Sequence, residues 1–542
     1  DLSARFPRML SETGLFESVS TLAPAAGVEP YSITAEPWQD GAMFTRWVAV
    51  PGDAQITIDE KGTHYPDGTV FVKHLDLPRS LGDSPIRLET QLLHFENGSW
   101  RPYRYRWDES ATDAQLADPA GENREVQVSD DPDSRRTWHI GSVNECRLCH
   151  NVGSDFVLGF NASQIEDLQR LTSVSATTTN SANKLVNPHD ESASLEERAR
   201  SYLHINCGIC HNRQGPATIS FFAHRDYPFD QLRITKRPAV GSFGIKDARL
   251  IAAGDEYSSV ILYRMSKLGY GRMPYIGSHT VDSQGVSLLA NWFAQLNGSS
   301  ANENSGERET IGKLLKAVTS NRESAHTAEI DQLLQSTEGS LALSTALHRE
   351  LIGDADRNRI LAESTKLHGD LRGLFETFVP ESKRRKTLGP TPDPQSILDL
   401  AGDADRGRLI FHSDGARCRD CHHASNKNES IGPTLSDIRG KLRSRNDVLT
   451  HVLAPSARVD EAYVTWSVML TDGRVLTGLM LAQDNQQIQI RTAEKKDLTI
   501  HRAEIDELQK TQQSIMPNGT LSDLTPQQAA DLISFILNAD GN

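Results

Sequence analysis

Three features are absent from this 542-residue sequence: a long apolar run, an excess of positive charge and a cysteine outside one repeated pattern. The longest mostly apolar stretches, such as residues 532–537, fall well short of the roughly 20 residues that cross a bilayer, so we expect no membrane span. The formal charge of −15 argues against a nucleic-acid partner, because such partners are bound by basic patches. The chain begins at Asp1 without a basic region or an apolar segment, so we expect that any signal peptide has already been removed.

The composition is that of an ordinary soluble globular protein, with 37% hydrophobic and 24% charged residues. A chain of this length exceeds what one hydrophobic core usually supports, and typical domain sizes predict roughly three or four folded units. We therefore expect several domains, each with its own core.

All six cysteines fall into three copies of the pattern C-x-x-C-H, named here the first, second and third motifs: Cys146–His150, Cys207–His211 and Cys418–His422. In this pattern the thiols lie about one helical turn apart and can form thioethers with the vinyl groups of a haem. The adjacent histidine then becomes the proximal iron ligand. The sequence therefore predicts three covalently bound haem c groups, held by Cys146, Cys149 and His150, by Cys207, Cys210 and His211, and by Cys418, Cys421 and His422.

Two other uses of paired cysteines fit this pattern less well. Disulfides or thioredoxin-like redox pairs explain the cysteines but not a histidine at the same offset in every motif. A zinc ribbon needs its C-x-x-C halves roughly 15 to 20 residues apart, whereas the first and second motifs are far more widely separated. Because haem is attached covalently outside the cytoplasm, we expect a periplasmic or extracellular protein.

The patterning predicts a multidomain α+β protein, in which a β-sandwich-like domain precedes mainly α cytochrome c domains and the last of these carries a β-rich insert. In the first 140 residues apolar and polar side chains alternate, and Asn97-Gly98 predicts a hairpin between residues 92–95 and 100–107. A basic cluster at 383–386 is either a docking patch or, more simply, a solvated face. The expected units are 1–140 (β-rich), 141–193 (first motif), 194–297 (cytochrome c, second motif), 298–400 (helical spacer) and 401–542 (cytochrome c, third motif, with a β insert at 463–508).

The second and third motifs are embedded in the same order of features, which indicates two copies of one domain type. Each follows a helical segment (195–205 and 403–411), and each is followed by Gly-Pro, by Met-Pro and by a terminal helix (286–296 and 526–537). Proline holds the preceding residue in extended backbone and so helps to shape a ligand loop. We predict that the distal iron ligands of these motifs are Met273 and Met516.

The first motif lacks such a partner, because no methionine lies between His150 and Cys207. Its iron either takes a sixth ligand from elsewhere in the chain or keeps an open position. A filled position suits electron transfer, whereas an open one permits chemistry on a small molecule. A ligand on the helix before the second motif would bring the first two haems together. The candidates are His204, on that helix, and His139, His189 and Met43.

The β insert of the third domain is predicted as a small meander that shields the haem edge. Apolar and polar side chains alternate over residues 464–470 and again over 475–479, with a turn at Asp472-Gly473 between them. The methionines outside the predicted ligand set are assigned to packing, in a helix for Met265 and in strands for Met469 and Met480.

Two stretches of the chain resemble known families. Residues 370–540 carry Gly402–Gly407, the third motif, Gly432-Pro433 and Pro455-Ser456, and they resemble the haem-binding C-terminal domain common in planctomycete and verrucomicrobial proteins. The first 300 residues resemble an uncharacterised family of dihaem c-type cytochromes, and the residues that carry this resemblance are Phe6-Pro7, Ser11–Phe16, Asp40–Ala42, Arg46-Trp47 and Tyr202–Cys207. Both resemblances imply electron transfer. Such domains often accompany sugar or alcohol dehydrogenases, so a separate dehydrogenase is an expected redox partner.

Three hypotheses about function follow. The leading one is a multihaem c-type cytochrome that transfers electrons between a periplasmic dehydrogenase and a terminal acceptor. The alternative is a haem enzyme, peroxidase-like or acting on another small molecule, with its active site at the first motif. The third is that the N-terminal domain binds carbohydrate or a partner protein through aromatic residues such as Trp100 and Trp107, although packing within a sheet also accounts for them.

Overall fold

The structure, a computed structural model, confirms a mixed α+β chain with a β-sheet region first, a helical region next and a β-rich segment near the end. Within the described ranges no helix is both long and apolar enough to cross a membrane. The described residues are 6–59, 62–79, 84–129, 134–151, 154–165, 168–176, 184–213, 215, 217, 221–238, 242–269, 271–297, 305–320, 325–367, 369–389, 392–412, 418–423, 430–471, 475–492, 497–516, 519–522 and 524–538.

The N-terminal region consists mainly of strands. They are β1 (Phe16–Ser18), β2 (Ala23–Pro24), β3 (Val28–Tyr31), β4 (Met43–Ala49), β5 (Ile56–Asp59), β6 (Gly62–His64), β7 (Val70–Leu77), β8 (Ile86–Glu96), β9 (Ser99–Trp107), β10 (Ala114–Leu116), β11 (Glu122–Gln127), β12 (Arg135–Ile140) and β13 (Val174–Ala176). A six-stranded antiparallel sheet runs in the order β10-β9-β8-β7-β4-β3. The predicted hairpin is confirmed, since Asn97 and Gly98 join β8 to β9 with φ angles of 52° and 71°, the left-handed backbone of a tight hairpin turn.

Alternation along the strands sorts the side chains of this sheet onto two faces. The outer face carries Trp47, Val72, Leu92 and Tyr105, which pack in one buried cluster with the N-terminal segment around Leu10. The same cluster contains Trp107, which is fully buried and donates from Nε1 to Thr90 Oγ1. Packing, and not a binding surface, therefore accounts for this tryptophan.

The inner face is covered by two smaller sheets, one at each end. At one end Ile56 and Ile58 of the β13-β5-β6 sheet pack with Phe71, and at the other end Trp138 of the β11-β12 sheet packs with Leu75. Between these ends the inner face carries polar residues around Lys73. The second layer is therefore divided, instead of being the continuous second sheet of a simple sandwich, because a polar row interrupts the apolar surface.

One helix, α1 (Val143–Cys149), carries the first motif and precedes β13. The helical region that follows contains the second motif, and its helices are α2 (Leu195–Asn206), α3 (Val260–Met265), α4 (Ser283–Gln295), α5 (Ser305–Ser320), α6 (Thr327–Leu333), α7 (Thr337–His348), α8 (Asp354–Ser364) and α9 (Gly369–Arg372). The predicted helices at 195–205 and 286–296 are confirmed as α2 and α4, and Met265 is a buried residue of α3 as expected.

The segment predicted as a spacer is not a free connector. Ile311, Leu341 and Phe375 belong to the same buried cluster as Tyr202 and Phe293 of the second-motif region. Apolar faces of α5 to α8 therefore pack directly on the helices that flank the second motif. In the basic cluster, Lys383 and Lys386 are exposed, as a solvated face predicts, while Arg384 is half-buried and donates to the carbonyl of Val379.

The C-terminal region surrounds the third motif with helices and a five-stranded antiparallel sheet, β17-β16-β15-β14-β18. The elements are α10 (Pro394–Leu398), α11 (Ala404–Phe411), α12 (Cys418–Cys421), α13 (Leu435–Lys441), α14 (Arg445–Leu453), β14 (Val464–Leu470), β15 (Val475–Gln483), β16 (Gln487–Thr492), β17 (Asp497–His501), β18 (Ile505–Ser514) and α15 (Pro526–Asn538). The predicted β insert is confirmed and extends to Ser514, whereas the predicted turn at 472–473 lies outside the described residues. Met469 and Met480 are strand residues, as expected.

Candidate functional site

Each of the three motifs closes a single helical turn. The backbone N–H of its histidine donates to the carbonyl of its first cysteine, over 2.9, 2.8 and 2.9 Å in the first, second and third motifs. Side chains three residues apart in such a turn lie on the same side of it. All six cysteines are free thiols, so each motif presents a pair of thiols beside an imidazole.

The His150 imidazole is oriented by a backbone carbonyl. Its Nδ1 lies 2.6 Å from the carbonyl oxygen of Phe156, so Nδ1 carries the proton and donates it. Burial lowers the pKa of His150, which keeps the ring neutral and leaves a lone pair on Nε2. Metal-binding histidines commonly use this arrangement, in which the second nitrogen donates to a carbonyl and fixes the ring.

The His422 imidazole has the same arrangement in the third motif. Nδ1 donates to the carbonyl of Pro433 over 2.7 Å, and burial lowers the pKa of the ring. Gly432 passes so close that a Cβ there would lie 2.5 Å from His422 Cε1. Ser430 Oγ lies 2.8 and 2.7 Å from the carbonyl oxygens of Cys421 and Gly432, which ties this loop to the motif.

The second motif follows α2 directly, since the Cys207 N–H donates to the carbonyl of Leu203 at the end of that helix. The His211 ring packs against Phe221 with ring centroids 4.1 Å apart. Its backbone carbonyl accepts a hydrogen bond from Ala223 N over 2.9 Å. Pro216, the sequence counterpart of Pro433, lies outside the described residues.

The first and second motifs lie side by side. The thiols of Cys149 and Cys210 are in hydrogen-bonding contact, and this contact together with burial raises the pKa of Cys149. Trp38, in the loop before β4, donates from its backbone to Asn206 Oδ1 over 2.8 Å and from Nε1 to the Thr280 carbonyl over 3.2 Å. The β domain therefore docks on the second-motif region next to both motifs.

Asp40 completes this docking contact. Its Oδ1 accepts hydrogen bonds from His279 N, Thr280 N and Thr280 Oγ1 over 2.7, 2.8 and 2.9 Å. Burial opposes ionisation of this carboxyl, but the hydrogen bonds and the nearby His279 outweigh it and lower the pKa of Asp40. The carboxylate is therefore part of the folded contact at neutral pH.

The loop that carries Met273 is held by arginine side chains. Arg272 is buried and donates to the carbonyls of Pro274, Tyr275 and Ser278. The backbone N–H of Met273 donates to the carbonyl of Arg264 over 2.9 Å. The half-buried Met273 side chain thus lies on a loop with a defined path, as a predicted iron ligand requires.

Met516 follows β18 and is half-buried, with its backbone N–H donating to Ser514 Oγ over 3.1 Å. A cleft of about 140 Å³ lies beside the third motif and is lined in part by Gly432, Tyr463 and Met480. Sequence reasoning assigned Met480 only to strand packing. The structure adds that this methionine also lines a cleft next to the His422 loop.

The candidate sixth ligands of the first motif are mostly engaged elsewhere. His204 Nδ1 accepts from Arg225 N over 3.0 Å, so the neutral ring carries its proton on Nε2, and burial lowers its pKa to about 3. His139 contacts Asn123 Oδ1 through Nδ1 and Glu145 Oε1 through Nε2, over 2.7 and 3.1 Å. Iron binding through either ring requires a rearrangement.

The remaining two candidates lie away from the inner face. His189 is exposed in the loop before α2. Met43 alternates with Phe44 at the start of β4, which puts it on the outer face of the sheet, and it is 48% exposed. Neither position brings a ligand to the first motif.

Sequence reasoning missed a polar row on the inner face. Arg46, Lys73, Gln91 and Arg104 are successive partners across β4, β7, β8 and β9. Their charges act on the first motif, since Arg104 affects the pKa of Cys146 and Lys73 that of His150. Alternation along a strand predicts which face of the sheet each side chain occupies. Only the pairing register of the strands shows that these four residues lie side by side.

The donor set of the motifs fits a haem better than a bare metal ion. Over the part of the chain that the structure describes, no three or more His, Cys, Asp or Glu side chains are grouped so that they could hold a metal ion. A haem iron takes its equatorial ligands from the porphyrin and needs only axial ligands from protein. Paired thiols with an oriented imidazole meet that requirement.

Comparison with protein-family models and with curated proteins finds no match for this chain. The two family resemblances therefore stay predictions.

Proposed function

We propose that this protein is a trihaem c-type cytochrome that transfers electrons, with one haem c attached at each motif. The observation that carries the proposal is the repeated geometry: three C-x-x-C-H turns closed by the same backbone hydrogen bond, with His150 and His422 both donating from Nδ1 to a carbonyl. Bound haem iron supplies one-electron redox chemistry.

The chain supplies attachment, orientation and burial. The cysteine pairs form the thioethers, and the carbonyls of Phe156 and Pro433 hold the imidazole rings with Nε2 free. Met273 and Met516 are the proposed distal ligands of the second and third motifs, each on a loop tied by hydrogen bonds. Thioether ligation by methionine raises the reduction potential relative to a second histidine.

The contact between Cys149 and Cys210 supports a relay between the first two motifs. Electron transfer needs redox centres close together, and thioethers formed on two touching cysteines keep the attached groups adjacent. The proposed setting is the periplasm or the extracellular space, where haem is attached, and the proposed partner is a separate sugar or alcohol dehydrogenase.

The test is a redox titration of the purified holoprotein with absorption and paramagnetic resonance spectra that resolve each haem. We expect three one-electron steps, with low-spin His/Met signals assigned to the second and third motifs by Met273→Leu and Met516→Leu. Rapid binding of carbon monoxide to all three irons in the reduced protein would contradict electron transfer as the main function.

A second candidate is a haem enzyme with its active site at the first motif. It is favoured by the hydrogen bonds that occupy His139 and His204 and by the outward position of Met43. These leave the first motif without an evident distal ligand among the residues proposed from sequence. A high-spin resting signal at this haem together with peroxide turnover would support the enzyme, and low-spin signals at every haem without turnover would rule it out.

A further inference from the structure

A row of basic side chains faces the first motif from the sheet. Strand pairing aligns Arg46 with Lys73, Lys73 with Gln91, and Gln91 with Arg104, so the four residues form one line across β4, β7, β8 and β9. At ~4.8 Å per strand the line is about 14 Å long. Three of its four members are basic.

These basic groups are buried unusually deeply. Arg46 and Arg104 are 6% and 5% exposed, and burial lowers the pKa of Lys73 to about 7. Buried cations are costly unless an acceptor or an anion meets them. The row is therefore expected to have partners for its charges.

Two members of the row have such partners within the chain. Arg46 forms a two-bond ion pair with Glu36, over 2.5 and 2.6 Å. Lys73 Nζ donates to Gln39 Oε1 over 2.7 Å and lies 4.1 Å from the centre of the Phe44 ring. Neither contact of Lys73 supplies a negative charge.

Arg104 is the exception. Its Nε and Nη1 are buried and reach no hydrogen-bond acceptor among the residues that the structure describes. The nearby Glu89 is 1% exposed, and burial raises its pKa while the charge of Arg104 opposes that shift. Two buried N–H groups without an acceptor at this position suit an anionic group.

The position of Arg104 connects it with the first motif. A Cβ on Gly141 would lie 3.5 Å from Arg104 Nη1, and Gly141 stands two residues before the first residue of α1, which carries Cys146 and Cys149. The charge of Arg104 is felt at Cys146, and that of Lys73 at Cys149. The row therefore borders the space beside this motif.

We infer that Arg104 and Lys73 bind the carboxylate side chains of the haem attached at the first motif. The inference rests on the proposed function, because haem c carries carboxylates only if it is attached there. Arg104 offers buried N–H donors at Nε and Nη1 to carboxylate oxygens, and Lys73 beside it offers an amine that a nearby carboxylate keeps protonated. A residue pair from the N-terminal sheet would then position a cofactor that is attached to a later segment.

The test compares Arg104→Gln and Arg104→Lys with Arg106→Gln in the trihaem holoprotein. Arg106 is the matched control, because it lies two residues along β9 on the same face but is 36% exposed and already paired with Glu122. The readouts are the midpoint potential of the first-motif haem and the carboxylate bending bands in its resonance Raman spectrum. Haem content per chain is measured on the same samples.

We expect Arg104→Gln to lower the potential by about 59 mV, which is a tenfold change for a one-electron couple, and to shift the carboxylate bands. Arg104→Lys should keep most of the potential but still shift the bands, and Arg106→Gln should change neither. If the Arg104→Gln protein lacks the first haem, the carboxylate bands of Arg104→Lys test the inference instead. Shifted bands support it. Unchanged bands in a variant that keeps three haems would overturn the inference and leave the proposed function standing.

A carboxylate from solution is the other source of the same chemistry. If added acetate shifts the potential of the unmodified protein and Arg104→Gln abolishes that shift, the row takes a free anion and the inference is wrong. No acetate effect is expected if the haem's own carboxylates fill the site. Absence of haem from all samples would instead refute the proposed function.

Discussion

Replacing Gly432 by alanine is expected to displace the imidazole of His422. The added Cβ would lie 2.5 Å from Cε1, 2.9 Å from Nδ1 and 3.2 Å from Nε2 of that ring. Because carbon atoms normally approach to about 3.5 Å, the ring must withdraw by about 1 Å. The 2.7 Å hydrogen bond from Nδ1 to the Pro433 carbonyl cannot survive such a movement unchanged.

The magnitude follows from two costs. Loss of the hydrogen bond costs about 0.5–1.5 kcal/mol, and overpacking costs about 1–3 kcal/mol. Together they destabilise the C-terminal domain by about 1.5–4.5 kcal/mol, or roughly ten- to a thousandfold in its folding equilibrium, since 1.4 kcal/mol is tenfold. The ring has little freedom to escape this cost if an iron holds its other nitrogen.

The assay is urea unfolding of the holoprotein followed at the absorption bands of the third-motif haem. Gly440→Ala is the matched control, because a Cβ at that position in α13 meets no atom within 4 Å, and alanine should stabilise the helix by up to about 1 kcal/mol. Equal unfolding midpoints and identical haem spectra for Gly432→Ala and Gly440→Ala would refute the reasoning.

Three further outcomes are expected. Asp40→Asn should weaken docking of the β domain by about 1–3 kcal/mol at neutral pH. The measurement is the free energy of unfolding of the unmodified protein and of the variant. Because folding lowers the pKa of Asp40, the difference in unfolding free energy should be complete above the unfolded pKa of 3.8 and should fade as pH falls through the folded pKa. A difference that stays constant with pH would contradict a role for the ionised carboxylate. Met273→Leu should remove the methionine-to-iron absorption of the second haem while the buried Met265→Leu keeps it, and equal spectra would exclude Met273 as ligand. Asp531→Ala should cost about 1–3 kcal/mol in urea unfolding, since Asp403 N and Arg406 Nε lose their acceptor over 2.8 and 2.7 Å, and an unchanged midpoint would argue against both bonds.

Local patterns predicted much of the secondary structure. Asn97-Gly98 has the left-handed backbone preference that a tight hairpin requires, and the alternation over 464–470 matches strand β14. The helix before the second motif was also predictable, because its apolar spacing is regular and Ser194 with Glu197 forms a capping box at its start. These features depend on residues close together in the chain.

Long-range contacts were not predictable in the same way. Arg104 and Lys73 are separated by 31 positions, and only the register of β7, β8 and β9 aligns them beneath the first motif. The helices of the segment 298–400 have polar faces that suggested a spacer, yet their apolar faces complete the core around the second motif. The contact between Cys149 and Cys210 likewise depends on how two domains dock.

The covalent haem content of the protein tests the central claim most directly. The protein, produced in a host with haem-attachment machinery, is denatured and its intact mass is measured, together with variants in which both cysteines of one motif are replaced by serine. We expect the mass of the polypeptide plus three haems, and one haem fewer in each of the three variants. A mass equal to the polypeptide alone, or an unchanged haem count after Cys146 and Cys149 are replaced, would contradict the account.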